Sequence, residues 1–107
     1  MTAKEVDALE AAICKAEQDS QKYADTEDGG TCNFDAPKIR LKATPRQLAA
    51  MDWRVYKIGR KQPDGSQWYE IGIYLSGQGN RRTRMAKAAA ESLKASGYES
   101  GVYYQMD

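Results

Sequence analysis

The chain contains no histidine, and that absence removes more chemistry than any other feature of its 107 residues. Without imidazole there is no side chain whose ordinary titration falls near neutrality, no Ser-His or Cys-His nucleophile pair and no histidine-rich metal site. Cysteine is nearly as scarce: Cys14 and Cys32 are the only two, too few for a structural zinc, which usually takes four Cys or His ligands. Their spacing permits a disulfide, but a reducing compartment favours two free thiols. Long apolar runs are missing as well. The longest uncharged stretch, between Glu70 and Arg81, is broken by glycine and falls far short of the roughly 20 apolar residues of a membrane-spanning helix. Lys4, Glu5 and Asp7 precede any apolar run, so no secretory signal is expected and the chain is assigned to the cytoplasm, away from membranes. Asp35, Asp52, Asp64 and Glu70 are scattered, and no spacing forces two carboxylates together as an acid-base pair requires. The expectation is a protein without enzymatic activity and without a cofactor.

What is present is ordinary globular material: 41% hydrophobic and 29% charged residues, in a length that suits one domain. Seven Tyr, two Trp and one Phe can supply a core. The net charge of +1 conceals an internal split. Residues 1–35 carry three Lys against nine acids, a net of −6; residues 36–87 carry twelve Lys or Arg against three acids, a net of +9. Such asymmetry creates a local field that draws anions to one part of a nearly neutral molecule.

Thr2-Ala3-Lys4-Glu5 has the form of a capping box, and Val6, Leu9, Ile13, Ala16 and Tyr23 then recur at helical spacing as one narrow stripe. An acidic amphipathic helix is expected over residues 1–25, followed by a linker over 26–37 that holds Gly29 and Gly30. From Lys38 the apolar period changes to two, and residues 38–107 form the main domain. Ile39 and Leu41 mark a first strand, Thr44-Pro45 the cap of a short helix from Arg46 to Met51. Strands over Trp53 to Gly59 and Gln67 to Leu75 are joined by a Pro63-Asp64-Gly65 turn. Asn80 caps a helix from Arg81 to Ser96, with Met85, Ala88, Ala89 and Leu93 buried and Gly97 as its stop. A last strand runs from Gly101 to Met106. The class is α+β: an N-terminal helix and then a ferredoxin-like βαββαβ sheet. The crossover between the first two strands is short for a parallel connection, which keeps open a three-stranded antiparallel sheet with two helices.

Candidate binding residues fall in three places. At the entrance to the long helix, Gln78, Asn80, Arg81, Arg82 and Arg84 follow a Gly-x-Gly loop. Cations are disfavoured at a helix N-terminus, but become favourable there when an anion such as phosphate docks on the free amides and guanidinium groups. Around the hairpin, Arg54, Lys57, Arg60 and Lys61 join Lys38, Arg40 and Lys42 of the first strand. The aromatic residues Trp53, Tyr56, Trp68 and Tyr74 interleave with them, a mixture suited to stacking bases while holding a nucleic-acid backbone. On the acidic helix, Glu10 and Glu17, together with Trp53, Trp68 and Tyr74, form a candidate surface for a protein partner, and the narrow apolar stripe could pair with a second copy.

The segments Gly30-Thr31-Cys32-Asn33-Phe34-Asp35, Gly77 to Met85 and Tyr103-Tyr104-Gln105-Met106-Asp107 resemble those of small uncharacterised proteins carried by bacteriophages and prophages. The resemblance covers about a third of the chain. It implies a viral accessory protein in a bacterial host cytoplasm, acting by occupying a host protein such as a defence nuclease. The expected function is thus a small binding protein that contacts the phosphates of nucleic acid or a nucleoprotein through the basic loop-helix junction. The alternative is a protein-directed inhibitor of a host defence protein.

Overall fold

The computed structural model describes residues 1–26, 29, 34–76 and 79–105. The chain begins with α1 (Ala3–Gln21), continues through β1 (Ala36–Leu41), a short α2 (Pro45–Ala49) and the hairpin of β2 (Arg54–Ile58) and β3 (Gln67–Gly72), and closes with α3 (Gly79–Ala95) and β4 (Ser100–Tyr103). The capping box at Thr2 is formed: its hydroxyl accepts from the Glu5 amide at 3.1 Å, and the Glu5 carboxylate accepts from the Thr2 amide at 2.9 Å. A second box starts α2, where Thr44 and Gln47 exchange the same two bonds and Pro45 takes the first helical position. Here the missing amide of proline removes no helical bond. At the far end of α3, Gly97 adopts φ +98. The Gly97 amide donates to Lys94 and the Tyr98 amide to Leu93, the paired bonds that close a helix with a left-handed residue, a conformation glycine adopts without strain.

The four strands run in the order β2-β3-β1-β4 with every neighbouring pair antiparallel. β1 is paired on both sides, so the three-stranded alternative with β1 as an edge is set aside. β3 lies between β1 and β2, which therefore run parallel without pairing, and the twelve residues 42–53 between them meet the dozen or so that a parallel crossover needs. The resulting βαββαβ arrangement has an unusual division of labour. Five-residue α2 buries none of its residues and meets the core only through part-buried Leu48, so it does not cover the sheet by itself. Instead α1 lies beside α3 and does so. Leu9, Ile13 and Ala16 of α1 meet Ile39 and Leu41 of β1, Tyr69 and Ile71 of β3, and Ala89 and Leu93 of α3 in one core. Leu9, Ile13 and Ala16 of the stripe are already buried within the chain and Val6 packs against the same core, whereas Tyr23 lies past the end of α1 and is exposed; a second copy would have to use another surface.

Several boundaries differ from those read in the sequence. β1 starts at Ala36, inside the expected linker, because Phe34 and Asp35 are zipped to Gln105. β3 stops at Gly72, where the chain turns toward α1: the Tyr74 amide donates to Glu17 Oε2 at 2.9 Å and its carbonyl accepts from Gln21 Nε2 at 3.1 Å. Asn80 lies inside α3 rather than capping it, since the helix begins at Gly79 in the left-handed region at φ +54. β4 ends at Tyr103, and Met106 falls outside the described residues. In α3 the buried face is Met85, Ala86, Ala89, Ala90 and Leu93, with Ala88 at its margin.

At the hairpin end of the sheet, Arg40 ties three elements together. Its Nε donates to Ser66 Oγ at 2.6 Å, its Nη2 meets Asp64 Oδ2 at 3.0 Å and its Nη1 meets Glu99 Oε2 at 3.2 Å. The Ser66 hydroxyl and amide, then the Arg40 guanidinium, hold the Asp64 carboxyl at about 2, below its ordinary 3.8. A depressed carboxyl stabilises the fold above its unfolded value and loses that contribution as pH falls through the folded one. The difference in urea midpoint between the native chain and Asp64→Asn should therefore be constant near neutrality and shrink to nothing between about pH 4 and about pH 2. A difference that stays level across that window would show that Asp64 acts only through its shape.

Candidate nucleic-acid interface

The three arginines at the entrance of α3 are engaged first with their own chain. Arg81 Nε donates to the Thr26 carbonyl at 2.8 Å, Arg82 Nε to the Asp35 carbonyl at 2.9 Å, and Arg84 Nε to the Thr26 hydroxyl at 3.1 Å. The Asn80 amide donates to the Gly29 carbonyl at 2.6 Å. The corner thus pins the segment that leaves α1 and the segment that enters β1 against the start of α3. These acceptors are neutral. Arg81 and Arg82 make no ion pair with any described residue, and bonds from Nε hold all three guanidinium groups in place. Gln78 lies outside the described residues.

Asp35 completes this corner. It is 4% exposed, and its two oxygens accept from the Gln105 amide and the Thr83 hydroxyl, each at 2.9 Å. A buried carboxylate is tolerated when hydrogen bonds replace its water.

The second part of the site is the sheet face that the helices leave open. Directly opposed residues in antiparallel strands share a face, and the register places Tyr56, Glu70, Lys38 and Gly101 in one row across all four strands. Ile58, Trp68 and Arg40 form the next row, and Arg54 stands opposite Gly72. Lys38 stretches across Gly101 and carries its ammonium to 4.9 Å from the centre of the Trp68 ring, within the range of a cation–π contact. Tyr56 is half exposed and lies beside Gly72, whose missing side chain leaves the strand surface low there. The one acid of the central row, Glu70, accepts from Gln105 Nε2 at 3.1 Å. Lys38 and Arg54 have no acidic partner among the described residues.

The expected site residues therefore separate into groups. The register brings Arg54, Tyr56, Trp68 and Lys38 to the open face. Lys57 is opposite Tyr69, on the helix side. Arg60 and Lys61 follow β2 at the hairpin end, whereas the arginine corner lies at the end where β1 begins and β3 and β4 finish. Trp53 packs against the core margin, not on the open face. Tyr74 is 65% exposed, but stands beyond β3 against α1. Glu17 already accepts from the Tyr74 amide, and Glu10 is partly buried on the same helix. Sequence reasoning missed the contribution of Lys38 to Trp68, because it depends on β1 and β3 being neighbours, which no local pattern reveals.

Among the described residues no cluster of His, Cys, Asp and Glu is arranged to hold a metal ion, and no helix is long and apolar enough to cross a membrane. Cys14 is a free, exposed thiol. No protein-family model, curated protein or solved structure matches the chain.

Proposed function

We propose that the protein binds single-stranded nucleic acid without catalysing a reaction on it. The observation that carries this reading is the uncovered face of a four-stranded sheet on which Tyr56 and Trp68 alternate with Lys38 and Arg54. Aromatic faces accept any base, and cations spaced between them meet the phosphates that connect those bases. Lys38, resting on Trp68 in the free protein, turns to a phosphate as a base takes its place. The arginine corner contributes to the attracting field and extends the positive surface past the end of the sheet.

The test is fluorescence anisotropy with a labelled single-stranded oligonucleotide over a salt series. Log affinity should fall with log salt by about 0.7 for each phosphate neutralised, and Arg54→Ala should lower that slope by one such step. Tyr56→Ala should weaken binding by roughly fivefold to a hundredfold, the usual value of one stacked base. Affinity that ignores Tyr56→Ala, or a complete absence of binding at low salt, would overturn the assignment.

A further inference from the structure

The open face is not the only exposed surface of the sheet. Because α2 is only five residues long and buries none of them, it touches β2 without filling the helix layer beside it. A groove of about 450 Å³ remains on the helix side, between α2 and the edge strand. Apolar Leu48, Ala49, Met51, Trp53 and Val55 line it with Tyr69, alongside one acid, Asp52, and the cations Arg54 and Lys57. Burial pushes the Tyr69 phenol up, as its apolar surroundings require. β2 is an edge of the sheet, so half of its backbone amides and carbonyls have no strand partner.

Charge distinguishes this edge from an inert one. Residues 54–61 carry Arg54, Lys57, Arg60 and Lys61 and no acid. Cations on an edge strand keep like strands apart, but that guard does not account for an apolar groove directly beneath it. Two copies of the chain joined through β2 would set these cations against one another, and like charges across a strand pair are unfavourable. The chain's own acidic segment is helical and docked in the core as α1, so it cannot supply the missing strand. An extended acidic segment meets every requirement. Side chains of an added strand alternate between faces; those on the helix side would put an apolar residue into the groove and an acidic one beside Lys57, while the backbone pairs with β2.

We propose that the β2 edge and the groove under it form a docking site for an extended, acidic segment of a partner protein, which adds to the sheet as a fifth strand. The groove lies on the helix side of β2 and shares Arg54 and Tyr56 of that strand with the open face, but the proposal does not depend on the nucleic-acid reading.

A displayed library of random peptides long enough to span a strand, about six residues, is selected against the whole protein. Enriched sequences should alternate acidic and apolar residues. The most enriched, made as a fluorescein-labelled peptide, should shift the amide resonances of β2 and α2 and slow hydrogen exchange at alternate β2 amides. Ala49→Trp fills the groove from an exposed helix position, and it should weaken the peptide by at least about tenfold, the effect of blocking a central anchor. It should leave oligonucleotide affinity unchanged. Lys57→Glu should weaken the peptide comparably. The proposal fails if selection yields no peptides or peptides without acidic residues, if the shifts map elsewhere, or if Ala49→Trp binds as tightly as the native chain.

Discussion

Leu9→Ala should lower the free energy of unfolding by about 3 kcal/mol, within the 2–5 typical of a leucine truncated in a closed core. Leu9 has no exposed surface and sits at the centre of the cluster that includes Ile13, Ile39, Ile71 and Leu93. A loss of that size is a large part of the 5–15 kcal/mol by which a domain is stable. The reason for so large an effect in a helix that precedes the sheet in sequence lies in the crossover. α2 is too short to shield β1 and β3, and α1 is the element that fills that layer. Removing residues 1–25 should therefore abolish cooperative unfolding, read by urea titration of tryptophan fluorescence, and expose a surface that binds hydrophobic dye. Lys4→Ala, on the exposed side of α1, should leave the midpoint unchanged. A fragment of residues 26–107 that unfolds cooperatively at the native midpoint would make α1 an appendage.

How far the sequence predicts this arrangement differs from element to element. Thr2 and Glu5, Thr44 and Pro45, Asp64 and Gly65, and Gly97 each act within a few residues, and each performs the capping or turning that its local chemistry indicates. The alternation of Tyr69, Ile71 and Ile73 against Trp68, Glu70 and Tyr74 likewise separates buried from outward residues. What local pattern could not supply was pairing. The position of β3 between β1 and β2 brings Lys38 over Trp68, and the crossover suffices because β1 ends at Leu41 and β2 begins at Arg54, which leaves twelve residues for it. The same limit applies to the arginines of α3. Their crowding at a positive helix end was legible, but the neutral carbonyls of Thr26 and Asp35 that receive them come from segments about 50 residues away, beyond the reach of any spacing argument. Asp35 read as one of several scattered acids, and only the folded chain makes it the bolt between α3 and the end of β4.

That bolt should be costly to remove. Asp35→Ala deprives the Gln105 amide of its acceptor in a part-buried site, and a donor stranded in this way costs about 1–3 kcal/mol. Thr83 is less affected, because its hydroxyl lies 3.0 Å from the Gly79 carbonyl and can turn to it. The expected loss is thus about 2 kcal/mol. Asp35→Asn retains an oxygen for Gln105 and should lose less than half as much. Hydrogen exchange at the Gln105 amide should accelerate strongly in Asp35→Ala and only slightly in Asp35→Asn, while the amides of Ile39 and Ile71 keep their relative protection. Arg82→Lys probes the same corner from the other side: it keeps the charge but has no Nε to donate to the Asp35 carbonyl. It should lower stability while leaving the salt slope of oligonucleotide binding unchanged, because the field depends on charge and the corner's geometry on the guanidinium. Equal losses for Asp35→Ala and Asp35→Asn would mean that the negative charge itself, and not its acceptor oxygens, holds the entrance of α3 to the sheet.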